Sequence, residues 1–272
     1  MAIDTDDFAI SIELIVDVAK AAGEKLLEHF TPDITVTHKK DDTPLTVADI
    51  AANRVVIEKL ALIAPDIPVL TEESCDIPFA TRDAWSTYWL VDPLDGTAEF
   101  INHNGEFSVN IALIHNGQPI AGVVHAPVLN ITYWACRVGG AWKQAGNQSA
   151  RKIKVREAPS KGVTVARSWA PVRGALLQTF LENLGEHKVI QMGGALKSCL
   201  VAEGRVDIYP CFGPTGEWDT AAAQCIVEEA GGHITDINMQ KLRYNTKESL
   251  INPHFIAFGM GTHDWSAYVK RN

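Results

Sequence analysis

An apolar stretch in the first half of the chain ends in two aspartates, a proline and a glycine. The segment is Trp89-Leu90-Val91-Asp92-Pro93-Leu94-Asp95-Gly96-Thr97. Pro93 has no N–H group with which to continue a ladder of hydrogen bonds, so the pattern predicts that a strand ends in a turn there. Such a turn aims the carboxylates of Asp92 and Asp95, and the Leu94 carbonyl between them, at one point.

These groups suit a cation and a phosphate. Mg²⁺ prefers oxygen ligands of this kind and leaves its remaining positions to water or a substrate phosphate. Gly96 and Thr97 add backbone N–H groups and a hydroxyl, which suit a phosphate. A surface turn explains the same residues when the segment is taken alone, because aspartate, proline and glycine all favour turns.

Acidic residues in three other segments favour a site. Glu72 follows a short apolar strand, and Asp219 opens a predicted helix. Asp49 lies three residues after Thr46, where it is also explained as the partner in a capping box. A surface glutamate and a helix cap are ordinary explanations of Glu72 and Asp219. The combination of the segments, rather than any one of them, indicates a common site.

The spacing of apolar residues predicts a mixed α and β fold in which sheets are covered by helices. Helices are expected over residues 8–30, from Thr46 to just before Pro65, over 173–184 and over 218–230. A further helix is expected to follow the strand at 188–191 and to end at about residue 202. Strands are expected at 69–70, 88–91, 107–113, 120–124, 131–138, 163–166, 188–191 and 206–209. Asn116-Gly117 predicts a hairpin within an antiparallel meander that ends at Gly139-Gly140.

The chain is expected to divide near residue 150, where the polar segment 144–152 follows the meander. Residues 1–150 would supply a helix pair and an antiparallel sheet that carry most of the acidic residues. Residues 151–272 would form an α/β half that supplies Asp219 and substrate contacts.

Charge and cysteine content exclude several classes of protein. The 272 residues carry a formal net charge of -9, and an acidic surface repels nucleic acids, so we expect no nucleic-acid partner. We expect no transmembrane segment and no secretory signal, because apolar runs are short and the start is acidic. Five cysteines without C-x-x-C spacing indicate reduced thiols and a cytoplasmic protein. Peripheral association with an inner membrane leaves no mark in the sequence and stays open.

Taken together, the acidic segments resemble the signatures of the inositol monophosphatase superfamily. The motifs are T-x-A-D at Asp49, T-E-E-S at Glu72, W-L-V-D-P-L-D-G-T, and W-D-T-A-A at Asp219, in that order along nearly the whole chain. The resemblance implies a lithium-sensitive, Mg²⁺-dependent phosphatase. It also implies an α+β fold of the layered α/β/α/β/α sugar-phosphatase type, with two sheets flanked by helices.

Within the superfamily the chain is most similar to the bacterial 3'(2'),5'-bisphosphate nucleotidases of the CysQ type. Further matches lie at residues 95–101, 104–114, 200–204 and 209–215. The similarity implies hydrolysis of 3'-phosphoadenosine 5'-phosphate, a by-product of sulfate activation, to AMP and phosphate. It leaves open whether the sulfated nucleotide is a second substrate. The oligomeric state also stays open, because relatives include monomers and dimers.

The resemblance implies a role for each acidic residue. Glu72, Asp92 and the Leu94 carbonyl would hold one Mg²⁺ ion. Asp92, Asp95 and Asp219 would hold another, with two or three cations in all. Converging carboxylates repel one another, so we expect the cation-free site to be disordered or partly protonated.

Catalytic and substrate contacts are implied for the same segments. Glu72 and Thr97 would position the attacking water, and Asp49 would orient Thr97. The residues implied to contact substrate are Glu72, Leu94, Asp95, Gly96, Thr97, Gly194, Lys197 and Asp219. Three departures from the nucleotidase pattern bear on the substrate rather than on the cations. Serines are usual at Gly194 and Ala195, a histidine is common at Trp169, and glycine is usual at Ala223.

Other interpretations stay open. An inositol or fructose phosphate phosphatase would use the same acidic residues. A catalytically silent protein of this fold would bind metal or phosphate without turnover. Cys199 and Arg205 have the C-x5-R spacing of cysteine-dependent phosphatases, but the residues between them are expected to be helical, whereas that chemistry needs a thiolate in a loop.

Overall fold

The computed structural model describes residues 2–5, 8–32, 34, 36–38, 44–159, 161–169, 174–261 and 263–269. The α-helices within these residues are α1 Ile12–His29, α2 Val47–Ile63, α3 Phe79–Arg82, α4 Thr97–Ile101, α5 Ala175–Leu184, α6 Leu196–Ala202 and α7 Glu217–Glu229. Two 3-10 helices span Glu72–Ser74 and Trp265–Tyr268. None of the helices described is long and apolar enough to cross a membrane.

Most of the strands belong to two large sheets. The strands are β1 Ala2–Thr5, β2 Phe8–Ser11, β3 Val36–His38, β4 Pro44–Thr46, β5 Val69–Thr71, β6 Thr87–Asp95, β7 Ser108–His115, β8 Gln118–Ala126, β9 Ile131–Cys136, β10 Gly140–Ala145, β11 Arg151–Ile153, β12 Val163–Arg167, β13 His187–Gln191, β14 Ile208–Cys211, β15 His233–Asp236 and β16 Phe255–Phe258. One sheet has the order β11-β10-β9-β8-β7-β6-β5, and the other has the order β13-β12-β14-β16-β15. The pairs β1-β2 and β3-β4 form separate hairpins.

Helices and sheets alternate in five layers. The apolar faces of α1 and α2 pack on one face of the seven-stranded sheet. Helices α6 and α7 lie between the two sheets, where their small apolar residues contact both. Helix α5 covers the outer face of the five-stranded sheet through Phe180. The predicted α/β/α/β/α layering is confirmed.

The second helix and the central hairpin follow the sequence closely. Thr46 caps α2, and its hydroxyl and backbone N–H contact Asp49 in the predicted capping box. Asn116 and Gly117 hold left-handed backbone between β7 and β8, as an Asn-Gly hairpin turn requires.

Two predicted boundaries were wrong. The first helix begins at Ile12 rather than at Phe8, because residues 8–11 pair with residues 2–5 as a hairpin. The meander continues past Gly139-Gly140 through β10 and β11, because left-handed Gly140 allows a hairpin turn there. The chain passes to the second sheet between residues 153 and 163, and the division near residue 150 stays a prediction. Arg173, the predicted start of the helix over 173–184, lies outside the described residues.

The chain does not turn at Pro93, which corrects a further expectation. Strand β6 continues to Asp95, and Asp92 pairs with Asn110 while Asp95 pairs with Ser108. Two residues of β6 therefore face one residue of β7, which is a β-bulge. A bulge tolerates a proline inside a sheet because one residue there needs no ladder hydrogen bond.

Candidate active site

Three carboxylates from different elements meet at one end of the molecule. One oxygen each of Glu72, Asp92 and Asp219 lies within 4.8 Å of the other two. The cleft around them has a volume of about 500 Å³ and is also lined by Leu94, Asp95, Gly96 and Thr97. The structure thus brings the predicted acidic residues of three segments into one cleft.

The bulge in β6 places Asp92 at the floor of this cleft. The Asp92 side chain is 1% exposed. Its Oδ1 accepts a hydrogen bond of 3.0 Å from the Leu94 N–H group, which is turned inward by the bulge. Because β6 lies between β5 and β7, the carboxylate has a strand on either side of it.

The other two carboxylates come from chain turns on either side. Glu72 begins the 3-10 helix that follows β5, where the Thr71 and Ser74 hydroxyls are 2.8 Å apart and close the turn. Asp219 lies in the first turn of α7, and the Gly216 N–H group donates to its Oδ2 at 2.9 Å.

Burial and mutual repulsion raise the pKa of both aspartates. The pKa of Asp92 is raised well above its usual range by burial first, and then by Glu72, Asp95 and Asp219. The pKa of Asp219 is raised by burial and by Asp95 and Glu72. The expectation that the cation-free site is partly protonated agrees with these shifts. Because burial and neighbouring carboxylates disfavour the negative charge on these aspartates, a divalent cation such as Mg²⁺ fits here, and carboxylate oxygens are the hard ligands that it prefers.

Asp95 lines the cleft but lies outside the group of three. Its Oδ2 accepts a hydrogen bond of 3.1 Å from Asn110 Nδ2 and lies 3.4 Å from Ser108 Oγ, whose single proton is shared with the nearer Asn110 Oδ1 at 2.9 Å. The Ala195 N–H group, from the loop before α6, donates to the same oxygen. Its role as a metal ligand stays a prediction.

Gly96 and Thr97 line the cleft beside these carboxylates. Gly96 holds left-handed backbone with a φ of +91°, and an added β-carbon would lie 3.3 Å from Glu99 Oε2. The Thr97 hydroxyl donates to the Leu94 carbonyl at 3.4 Å. Asp49 is buried and accepts from the Thr46 backbone N–H and hydroxyl, at 2.7 and 2.6 Å. The proposed orientation of Thr97 by Asp49 stays a prediction.

The loop that carries Gly194 packs against the edge of the cleft. Gly194 has a φ of +45°, and an added β-carbon would lie 2.6 Å from Asp95 Oδ2. Lys197 is buried and its Nζ donates to the Gly194 carbonyl at 2.7 Å. The ammonium also lies 5.2 Å from the centre of the Tyr209 ring. Nucleotide contacts by Gly194 and Lys197 stay predictions.

Sequence reasoning missed the polar side chains that support Asp95. Ser108 and Asn110 are buried on β7, where they pair with Asp95 and Asp92 at the two ends of the bulge. The signal was present, because the apolar strand begins with two polar residues two positions apart, which places both on one face. Ile251 and Trp218 also line the cleft, and nothing in their spacing distinguishes them from core residues.

The cysteine-dependent alternative does not fit the structure. Cys199 lies within α6 and is buried. Burial raises the pKa of its thiol well above the usual range, and Glu203 raises it further. A thiol that stays protonated in a helix cannot act as the nucleophile of a phosphate-binding loop.

Comparison with known proteins decides the family. A model described as the inositol monophosphatase family matches residues 10–264. The chain belongs to the inositol monophosphatase family. A protein named 3'(2'),5'-bisphosphate nucleotidase CysQ, from Shigella flexneri, is 47% identical over 248 residues, which cover 90% of this chain and 98% of that protein. The protein of the same name from Escherichia coli K12 is 45% identical over 247 residues, with the same coverage of both chains.

Solved structures of family members share the fold. CysQ from Bacteroides thetaiotaomicron, described as a bacterial member of the inositol monophosphatase family, has a TM-score of 0.80 at 36% identity, over 91% of this chain and 96% of that one. An IMPase from Thermotoga maritima has a TM-score of 0.79 at 26% identity, over 95% of this chain and 96% of that one. The family is one of metal-dependent phosphatases, and among the described residues the cluster of Glu72, Asp92 and Asp219 fits a metal ion.

Proposed function

We propose that this protein is a Mg²⁺-dependent 3'(2'),5'-bisphosphate nucleotidase that hydrolyses 3'-phosphoadenosine 5'-phosphate to AMP and phosphate. The observation that carries the proposal is the meeting of Glu72, Asp92 and Asp219 in one open cleft. The substrate is inferred from relatives named as nucleotidases, which are 45% and 47% identical over 90% of the chain. Because this substrate is a by-product of sulfate activation, the proposal links the enzyme to sulfur assimilation.

The cleft offers the ligands that such a cation needs. We assign two or three Mg²⁺ ions to Glu72, Asp92, the Leu94 carbonyl, Asp95 and Asp219. Bound Mg²⁺ would stabilise the charge on the phosphoryl oxygens and supply water of lowered pKa. The raised pKa values of Asp92 and Asp219 support this assignment, because a nearby cation would offset the burial and the repulsion that raise them.

The chain's own groups would bind and orient the reactants. Glu72 and Thr97 would orient a water molecule for in-line attack on the 3'-phosphorus, and Asp49 would orient Thr97. The backbone N–H groups of Gly96 and Thr97 would bind the phosphate oxygens. The water oxygen would bond to phosphorus as the bond between phosphorus and the ribose 3'-oxygen breaks. A proton given up by that water would end on the 3'-oxygen, which leaves AMP and inorganic phosphate.

The nucleotide would extend toward the loop before α6. Gly194 lies against Asp95, and the Lys197 ammonium lies at the Gly194 carbonyl. The proposal places Gly194 and Lys197 in contact with the substrate beyond its reacting phosphate, on the strength of the resemblance to the nucleotidases. The lack of a nucleic-acid partner and the cytoplasmic location stay predictions.

Phosphate release from purified protein tests the proposal. The assay compares 3'-phosphoadenosine 5'-phosphate with inositol 1-phosphate and fructose 1,6-bisphosphate, with Mg²⁺, with a chelator, and with added Li⁺. We expect preference for the nucleotide, loss of turnover on chelation and inhibition by Li⁺. Preference for a sugar phosphate would favour the inositol or fructose phosphatase instead. No release from any substrate would favour a silent binding protein.

Asp95→Asn separates an enzyme from a silent protein. We expect turnover to fall by about a hundredfold or more, because the variant loses a charge at the cations that stabilise the transition state. The matched control is Asp66→Asn, since Asp66 is an exposed residue after α2. Undiminished turnover in Asp95→Asn would contradict the assignment of this cleft as the active site.

A further inference from the structure

Asp95 is held by donors from both halves of the chain. Asn110 Nδ2 lies 3.1 Å and Ser108 Oγ 3.4 Å from Asp95 Oδ2, and the Ala195 N–H group reaches the same oxygen. Within the described residues, these hydrogen bonds go to Oδ2 and none goes to Oδ1. Oδ1 is therefore the oxygen that this carboxylate can offer to a cation.

The Asn110 amide is itself held in one orientation. Its Oδ1 accepts a hydrogen bond of 2.9 Å from the Ser108 hydroxyl. The Asn110 Nδ2 group consequently faces Asp95 and donates to it. This orientation suits an ionised carboxylate, which accepts hydrogen bonds and donates none. Asn110 and Ser108 are 1% and 0% exposed, so water does not compete for these bonds.

Glu106 holds the loop that carries the third donor, the Ala195 N–H group. Its Oε2 accepts from the Gly193 N–H group at 2.8 Å and from Trp169 Nε1 at 2.5 Å. The loop is packed tightly at this point, since a β-carbon on Gly193 would lie 2.3 Å from the Glu106 carbonyl oxygen. Glu106 thereby fixes the loop whose Ala195 N–H group holds Asp95.

We propose that Asn110 and Glu106 are positioning residues that fix the Asp95 carboxylate for cation binding. Asn110 acts directly through its amide, and Glu106 acts through the loop 193–195. The inference rests on the proposed function only in taking Asp95 as a ligand of Mg²⁺. Partners that orient a ligating carboxylate typically change metal affinity by about 10- to 100-fold when they are removed.

Cation binding without substrate tests this inference apart from turnover. Isothermal titration calorimetry with Mg²⁺ alone compares wild type with Asn110→Leu, which keeps the volume but removes the donor. We expect affinity to fall by about tenfold or more. We expect Glu106→Gln to lower affinity less, because the amide keeps the length of the side chain and one accepting oxygen. Turnover of Asn110→Leu should recover at high Mg²⁺ concentration, whereas turnover of Asp95→Asn should not.

The matched control is Asn183→Leu, which removes an asparagine hydrogen bond of 2.8 Å to Tyr268 on the far layer of the fold. Its Mg²⁺ affinity should equal that of wild type. If Asn110→Leu does not fold, Ser108→Ala replaces it, and we expect a smaller loss of affinity. Wild-type Mg²⁺ affinity in a folded Asn110→Leu or Ser108→Ala protein would overturn the inference. A wild-type protein that binds Mg²⁺ but hydrolyses no nucleotide would overturn only the proposed function.

Discussion

Gly194 and Gly146 both hold left-handed backbone, yet only Gly194 has a neighbour where a β-carbon would lie. Their φ angles are +45° and +55°. A β-carbon on Gly194 would lie 2.6 Å from Asp95 Oδ2, whereas one on Gly146 would meet nothing within 4 Å. Comparing an alanine substitution at each glycine therefore separates two effects on the protein. Both substitutions strain the backbone, but only the one at Gly194 also displaces Asp95.

We predict that Gly194→Ala lowers both stability and activity, and that Gly146→Ala lowers stability alone. Left-handed backbone costs an alanine about 1–2 kcal/mol, so urea denaturation should show a loss of that order in both variants. Phosphate release should fall about tenfold or more only in Gly194→Ala, because Asp95 must move. Full activity in a folded Gly194→Ala protein would contradict the close packing of this loop against Asp95.

The buried His125 side chain should make the unfolding free energy of the protein decrease at acidic pH. The side chain is buried, its Nδ1 lies 2.9 Å from Thr132 Oγ1, and burial, with Lys20, lowers its pKa from 6.5 to about 4. A lowered pKa stabilises the fold above pH 6.5, and this contribution is lost as the pH falls toward 4. The unfolding free energy should therefore drop between pH 7.5 and pH 5. We expect this drop to be smaller in His125→Gln than in wild type by about 2 kcal/mol.

Urea denaturation of both proteins at the two pH values measures this difference. The comparison isolates the histidine, because the other titrating groups are common to wild type and variant. An equal loss of stability in both proteins would show that another group carries the acid sensitivity.

At the scale of elements, the sequence predicted the caps and turns that depend only on residues close together in the chain. The capping box of Thr46 and Asp49 and the turn at Asn116-Gly117 form as expected, because each needs only a few adjacent residues. Pro93 misled the prediction, since a bulge depends on the register of the partner strand. Strands β15 and β16 were also missed, and each has only four residues; β15 pairs with β16, and β16 pairs in addition with β14.

Helix α7 packs directly on strand β8 through Gly122. A β-carbon there would lie 2.3 Å from the Ala222 carbonyl oxygen, and 2.9 Å from the Ala222 Cα. We predict that Gly122→Ala costs about 1–3 kcal/mol of unfolding free energy, because the helix must move away from the sheet. Since Asp219 lies in the first turn of α7, Mg²⁺ affinity should fall as well.

Chemical denaturation and calorimetry with Mg²⁺ measure the two effects on one protein. Gly213→Ala is the control for stability, because a β-carbon there would meet nothing within 4 Å. Wild-type stability in Gly122→Ala would contradict the contact between α7 and β8.

At the scale of the molecule, the site joins residues that lie far apart in the chain. The acidic motifs were found in the sequence because each carries its own local pattern. The contacts of Asp95 with Ala195 and of Glu106 with Gly193 were not, because they join residues 100 and 87 positions apart across the two sheets. Sequence alone therefore predicted the carboxylates of the cleft better than the polar groups that contact them.

The cation-free molecule should lose stability as the pH rises. The pKa values of Asp92 and Asp219 are raised well above 3.8 by burial and by neighbouring carboxylates. An acid with a raised pKa stabilises the fold fully below its unfolded pKa, and that contribution is lost as the pH rises through the folded pKa. Mg²⁺ reverses the effect, because it favours the ionised carboxylates and binds the folded chain.

We therefore predict that Mg²⁺ raises the unfolding temperature more at pH 8 than at pH 5. Because the pKa values of Asp92 and Asp219 are raised, protons compete with the cation for these carboxylates more strongly at pH 5 than at pH 8, and this competition weakens its apparent affinity. Differential scanning calorimetry at one Mg²⁺ concentration and both pH values measures the shift. Asp219→Asn is the control, since it removes one of these charges and should make the cation-free protein less sensitive to rising pH. An equal Mg²⁺ shift at the two pH values in wild type would show that the cation does not bind at these aspartates.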